Sequence, residues 1–418
     1  MEATAEHVAE IQGLYGPFIF SEKLLQRIWM RGEFSLAEAR TTAGVNVEVI
    51  EPGRWNVLGG PDFKGAKLRL GGRTVVGDVE LHLRAADWKA HGHAHDPMYA
   101  NVILHVVLFE GKGAPTLGHQ DQEIPVLNLL PLLLYSLEDY AADAVVERLA
   151  DRAADRAFES LAALSCEERH ERIQALAATR WEQKVRFAAT RVAKLGWEEA
   201  CHQTALEILG YRFNRAPMLR LAGRWPLAAW REFPSLPEEV YASERGRWSV
   251  QGVRPANRPW RRLWQYAHWV QRKPHWPLLW QALTLPPNVS VANLRLSANT
   301  AAGFRKERRL SELRRQWSTE LFADALPGVR LDTLICNGML PLVAVDRPKG
   351  EWGAYWFHWF VGDLPDSLLR ALKILDLGSS GQPRCHGWVQ GVLQGWLEYE
   401  RVSACRGVET VEGTGAGA

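Results

Sequence analysis

Residues 60–109 read GPDFKGAKLRLGGRTVVGDVELHLRAADWKAHGHAHDPMYANVILHVVLF, and their pattern decides the fold of the N-terminal half. Lys67–Leu70 and Thr74–Leu83 have strand character, with Gly71-Gly72 between them as a turn. Side chains alternate along a strand, so Asp78, Glu80 and His82 share one face and Val79 and Leu81 the other. A two-residue turn at Gly71-Gly72 places Asp62 opposite Leu81. A three-residue loop through Arg73 places Asp62 opposite His82 and Lys64 opposite Glu80, and this second register is the expected one. It gathers Asp62, Glu80 and His82 on one surface. Adjacent carboxylates repel and raise one pKa. A hard divalent cation such as magnesium or manganese removes that conflict, so Asp62 and Glu80 are the expected metal ligands.

Working outward, Ser21 reads as the N-cap of a helix to about Arg31, with Leu24, Leu25, Ile28 and Trp29 on one face. Glu22 lies towards that face. It is either a carboxylate leaning into the site or a first-turn residue favoured by the helix dipole. Val45–Glu51 is expected to be a strand, and residues 1–20 a loose lead-in. After the hairpin, Gly92 breaks the segment from Ala85 to His95. The spacing of His91, His93 and His95 would permit metal ligation, although solvated loop histidines are the preferred reading. Asp96-Pro97 has the form of an N-cap and first helical position. Val102–Phe109 is a buried strand, and His105 within it reads as a hydrogen-bonded core histidine in preference to a ligand.

An acidic residue opening one strand, followed by an acid-x-base triplet on the next, resembles the PD-(D/E)XK phosphodiesterase core. Pro61-Asp62 and Glu80-Leu81-His82 would be its motifs. The resemblance implies catalysis by Asp62, Glu80, His82 and Glu22, with Lys64, Asp78, His91, His93, Asp96 and His105 as further site candidates. His82 stands where that superfamily usually carries lysine. Histidine is mostly neutral at pH 7 and can serve as a base or as a metal ligand. A second resemblance covers nearly the whole chain. Glu22–Trp29, Gly60–Phe63, Gly77–His82, Asp87-Trp88, His91–His93, Val102–Val107, Arg254–Asn257, Asn337 and Pro341 are similar to the bacterial family catalogued as domain of unknown function 2851.

The 418 residues are enough for two domains. The expected fold is α+β: a nuclease-like mixed sheet with flanking helices over 1–135, a larger helical Trp/Arg-rich domain over 136–406, and a disordered tail over 407–418. Net charge is +2, so any nucleic-acid contact must come from a local patch. The five cysteines are scattered without a C-x2-C pair, which argues against a zinc ribbon and fits a reducing cytoplasm. No apolar run is long enough to span a bilayer, and no P-loop or GxGxxG points to a nucleotide cofactor. In the basic part, Arg254, Arg258, Arg262, Arg305, Arg308 and Arg309 interleave with tryptophans. That surface suits DNA or RNA, but solvated or ion-paired arginines around a tryptophan core are the preferred reading, and Trp260 with Trp264 looks like packing.

Three functions follow from these residues. The first is a magnesium- or manganese-dependent nuclease. The second is a nucleic-acid-binding or assembly module on a nuclease-derived scaffold that has lost catalysis. The third is a hydrolase whose zinc-like ion is held by His82, His91, His93 and His105 with Asp96.

Overall fold

Gly71 and Gly72 form a two-residue turn, both with positive φ (54° and 86°), and Leu70 pairs with Arg73 across it. The chain is described here in a computed structural model that covers all residues except 1–7, 14–15, 57–58, 110–114, 135–136, 138–139, 142–154, 233–235, 251–252, 254, 286–300, 349–350, 363, 365, 379–382 and 413–418. It is an α+β protein that divides into two units, Met1–Ala144 and Val145–Ala418.

The strands of the first unit are β1 (Val8–Gly13), β2 (Gly16–Ser21), β3 (Val47–Glu51), β4 (Arg54–Trp55), β5 (Phe63–Leu70), β6 (Arg73–Arg84), β7 (Val102–Phe109) and β8 (Val126–Asn128). β1 and β2 form an antiparallel hairpin, so the expected loose lead-in is in part a paired ribbon. The main sheet has the order β3-β5-β6-β7-β8, with β4 also pairing to β5. Its first pairs are antiparallel, whereas β6-β7 and β7-β8 are parallel. Helix α1 (Glu22–Arg31) starts at Ser21, whose hydroxyl accepts from the Leu24 amide, and ends at Gly32 in the left-handed conformation. Its Leu24, Leu25, Ile28 and Trp29 pack in one core with Val79, Leu81, Leu104 and Val106, the apolar face of β6 and its neighbour. Each such aliphatic side chain withdrawn from water contributes about 1.5–3 kcal/mol.

The register of the hairpin differs from the expected one. The turn has two residues, not three, and the geometry is corrected further along by a β-bulge. Ala66 pairs with Gly77 but Phe63 with Val79, so Lys64 and Gly65 together oppose Asp78. Gly65 has φ +66°, the left-handed conformation that such a bulge uses. The extra residue moves Asp62 one place along β6 and sets it beside Glu80. Lys64 therefore does not face Glu80, contrary to expectation.

Parallel strands cannot be joined by a tight turn. The connection from β6 to β7 carries α2 (Asp87–Ala90) and two 3₁₀ turns, His93–His95 and Pro97–Tyr99. Gly92 (φ +71°) separates α2 from the first turn, and Asp96 caps the second, as the sequence indicates. This connection covers the face of β6 opposite α1, which explains why both faces of that strand are buried.

The second unit is helical throughout its described residues. Cys166–Leu195 begins with a capping box at Ser165 and Glu168. The next helix, Trp197–Arg224, is continuous through Gly210 and carries Pro217 in its interior. A Cβ at Gly210 would meet Met218 at 2.9 Å, so glycine serves close approach there instead of termination. The helices Val329–Leu334 and Leu340–Asp346 are joined by a π-turn at Ile335–Met339. Trp230, Trp269, Trp276, Trp280, Trp317, Trp356 and Trp359 are fully buried anchors of this core, as expected for most of the tryptophans. The last helix continues to Glu412, into the expected tail; a single glycine, Gly407, costs only about 1 kcal/mol relative to alanine and does not end it.

Candidate metal centre

Glu80 and His82 project from the polar face of β6, and the bulge at Lys64-Gly65 brings Asp62 to them. The Asp62 amide donates to Glu80 Oε2 (2.9 Å), and Asp62 Oδ2 accepts from the Leu81 amide (3.0 Å). Asp62 Oδ1 accepts from Gln26 Nε2 (2.7 Å), and Gln26 Oε1 accepts from Trp55 Nε1 (3.2 Å). Gln26 lies one helical turn after Glu22 on α1, so the same face delivers both. That spacing was the available signal for Gln26, which sequence reasoning passed over.

Three carboxyls thus meet from three elements. Burial raises the Glu22 carboxyl to about 8, reinforced by the charge of Asp62, while the Leu83 amide opposes the shift. Burial also raises Glu80, again reinforced by Asp62 and further by Glu22. Asp62 is raised by burial against the hydrogen bonds from Gln26 and Leu81. Glu22 Oε1 is buried and has no hydrogen-bond partner. Among the described residues, no lysine or arginine pairs with Glu22, Asp62 or Glu80.

Beside these acids the imidazoles converge. His82 Nε2 lies 3.1 Å from His91 Nδ1 and 3.3 Å from His93 Nε2. Glu80 Oε1 lies 3.6 Å from His82 Nε2 and 3.5 Å from His93 Nε2. The three histidine donor atoms all fall within 4.8 Å of one another. In a tetrahedral site, an ion about 2.0–2.1 Å from each nitrogen sets neighbouring donors about 3.3 Å apart. The spacings from His82 Nε2 to His91 and His93, and from Glu80 Oε1 to His82 and His93, lie on either side of that value. Without an ion, His82 Nε2 faces two other ring nitrogens and can share at most one proton with them. A cation among them would take a lone pair from each of the three nitrogens, which is the donor chemistry of a zinc-class ion. His91 is exposed, which leaves one side of the cluster open to solvent.

The aromatic residues Trp88 and Tyr99 hold the rings in place. Tyr99 stacks on His93 (centroids 3.8 Å apart), and Trp88 sets an edge against His82, His93 and Tyr99 while its Nε1 donates to the Leu117 carbonyl (2.8 Å). Burial lowers His93 to about 4, with a smaller contribution from His91, and lowers His105 to about 3, with a smaller one from His93. His105 is fully buried and hydrogen-bonded, as expected of a core histidine, but its partner is His82 Nδ1 (3.0 Å), so it touches the cluster.

The remaining candidates lie elsewhere. Asp78 accepts from the Gly65 amide (2.9 Å) and stabilises the bulge. Asp96 caps the turn at Pro97 by accepting from the Met98 amide. Of the proposed phosphate-binding arginines, Arg262 is buried and donates to Asn257 and Gln265. Arg305 donates to the carbonyls of His358, Trp359 and Arg384, and Arg308 pairs with Glu351 (3.2 Å). These three guanidiniums hold the fold together and are not available to a backbone phosphate. Arg258 and Arg309 are exposed, and Arg254 lies outside the described residues. On the helix Pro259–Arg272, Trp260 (40% exposed) and Trp264 (36%) pack edge-on against each other, Trp260 also against Tyr241, and both keep a partly exposed face.

A family model described as protein of unknown function (DUF2851) matches residues 22–243, and the chain belongs to that family. The match takes in the whole metal-centre candidate and stops short of Arg254–Asn257, Asn337 and Pro341. No curated protein and no solved structure matches the chain. No helix among the described residues is long and apolar enough to cross a membrane.

Proposed function

We propose that this chain is a metal-dependent phosphodiester hydrolase acting on nucleic acid, with a zinc-class ion held by His82, His91, His93 and Glu80. The observation that carries the reading is the set of donor spacings around His82 Nε2 and Glu80 Oε1, from 3.1 to 3.6 Å. A bound ion of this class supplies Lewis acidity and lowers the pKa of water. Asp62, fixed by Gln26 and the Leu81 amide, orients the attacking water. Glu22 Oε1, buried and without a partner, accepts its proton in the carboxylate form, which a nearby cation favours. Two features support the choice of substrate. The order of acidic helix, strand, hairpin, short helix and strand is the one that the nuclease-like resemblance implies. In the second unit, the exposed stripe Trp260, Arg261, Trp264 and Arg272 lies on a helix with no acidic residue, which suits bases and phosphates.

The uncompensated trio Glu22, Asp62 and Glu80 favours a second reading, in which Asp62 and Glu80 hold magnesium or manganese and His82 is the base. One assay separates the two. Cleavage of single- and double-stranded DNA and RNA is measured with zinc, manganese or magnesium, for wild type, His93→Ala, Glu80→Gln and Asp62→Asn. The proposal expects zinc- or manganese-supported cleavage that falls at least about 100-fold in His93→Ala and in Glu80→Gln. Magnesium-supported cleavage indifferent to His93→Ala selects the second reading. Zinc binding without cleavage of any substrate leaves a nucleic-acid-binding scaffold.

A further inference from the structure

His82 has two ring nitrogens, and the structure gives them different company. Nε2 faces His91, His93 and Glu80. Nδ1 lies 3.0 Å from His105 Nε2, and His105 Nδ1 lies 3.0 Å from Thr116 Oγ1. His105 and Thr116 are both buried, at 0% and 6% exposure, so no water competes for these contacts. The three groups form a single file that leads away from the cluster. A neutral imidazole carries one N–H and one lone pair, so the polarity of one contact dictates the next. We infer that this file is polarised outward: His82 Nδ1–H donates to His105 Nε2, and His105 Nδ1–H donates to Thr116 Oγ1. His82 Nε2 is thereby left with its lone pair aimed at the cluster. The inference rests on the metal reading above and deepens it, by assigning His82 Nε2 as the liganding atom and His105 and Thr116 as positioning residues.

The physical reason is general. A histidine that ligates a metal is held in one tautomer by whatever its other nitrogen donates to. Carboxylates and carbonyls are the usual acceptors. Here a second, buried histidine takes that place and must itself be fixed by a hydroxyl. Burial disfavours charge on His105, so it relays orientation without adding a positive charge beside the ion. Strand register places it: Glu80 pairs with His105 across β6 and β7. Thr116 comes from the segment before β8, where its carbonyl accepts from the Ile124 amide (2.8 Å).

The test uses the full chain labelled with ¹⁵N-histidine, without metal and with zinc. The expected spectrum shows His82 protonated at Nδ1 in the zinc-loaded protein, with His105 also protonated at Nδ1. Zinc affinity is expected to fall about 10–100-fold in His105→Phe and about 10-fold in Thr116→Val. His105→Gln, whose side-chain oxygen can still accept from His82 Nδ1, is expected to stay within about threefold of wild type. Thermal unfolding of each metal-free variant identifies any that fails to fold, and Thr116→Val, nearly isosteric, then carries the test. Protonation of His82 at Nε2 overturns the inference, as does a His105→Phe or Thr116→Val protein that folds and binds zinc as tightly as wild type. If wild type binds no zinc, the metal reading fails, and the metal-free spectrum alone decides the polarity, with Nδ1–H on His82 supporting it.

Discussion

Two buried glutamates in this molecule are treated in opposite ways. In the second unit, Glu207 is met by Arg191 (2.7 Å) and by Arg215, and these guanidiniums hold its carboxyl down at about 2 although burial alone would raise it. Arg220 and Glu244 form a similar pair (2.8 Å). In the first unit, Glu80 is buried to a like degree but faces Asp62, Glu22 and two imidazoles, and it is raised. Glu207 is built into the architecture with its counter-charge attached. Glu80 has no lysine or arginine partner among the described residues. Burial of an acid is thus no guide to its role here; what faces it is.

The largest effect expected from this contrast is on stability. Glu207→Ala leaves the half-buried Arg191 and Arg215 without their carboxylate and should cost about 3 kcal/mol in denaturant unfolding. Glu80→Gln removes a group that already favours its neutral form and keeps an oxygen to accept from the Asp62 amide. It should move metal-free stability by no more than about 1 kcal/mol. Equal losses in the two variants would erase the distinction between the sites.

Next comes the response to pH and metal. Glu22 titrates near 4.5 when unfolded and at about 8 when folded. The folded state then binds more protons than the unfolded one between those values, so its contribution is complete below about 4.5 and is lost as pH rises to about 8. His93 and His105 act in the opposite sense, with stability present above 6.5 and lost as pH falls towards 4 and 3. The window from 6.5 to 8 isolates the carboxyls, and metal-free protein should lose stability across it. Zinc should reverse that slope, because ligation requires the carboxylate and the neutral imidazole. At 100 times its dissociation constant, zinc should add about 2.7 kcal/mol. A metal-free stability curve flat from pH 6.5 to 8 would contradict the shifted carboxyls.

Much of the first unit was legible because its signals are local. Ser21 before Glu22, Asp96 before Pro97 and the alternation of Val79, Glu80, Leu81 and His82 each report on residues within one turn or one strand. The convergence of His91 and His93 on His82 could be written only as the third of three readings, with solvated loop histidines preferred. It depends on how the connection folds back across β6, and Gly92 marks only where the chain bends. Three of the six arginines are engaged within the fold for a related reason. Arg262, Arg305 and Arg308 are written like a basic patch, but which face of a helix is buried depends on neighbours distant in sequence.

The hairpin register is the subtlest case and yields the smallest predicted effect. The choice between a two- and a three-residue loop at Gly71 overlooked a correction six residues earlier, where Gly65 inside a strand was itself the sign of a bulge. The Gly65 φ of +66° carries the extra residue, and no atom lies within 4 Å of the position a Cβ would take. Gly65→Ala therefore meets no clash and should cost only the left-handed backbone, about 1–2 kcal/mol. Gly65→Asn, whose side chain tolerates that conformation, should cost less. The informative measurement is zinc affinity. A bulge that survives the strain keeps Asp62 beside Glu80 and leaves affinity unchanged. A bulge that is expelled returns the strands to the uncorrected two-residue register, sets Asp62 opposite Leu81, and removes the amide that holds Glu80 Oε2. Lost stability with lost affinity would show that one glycine outside the proposed ligand set fixes the geometry of the centre.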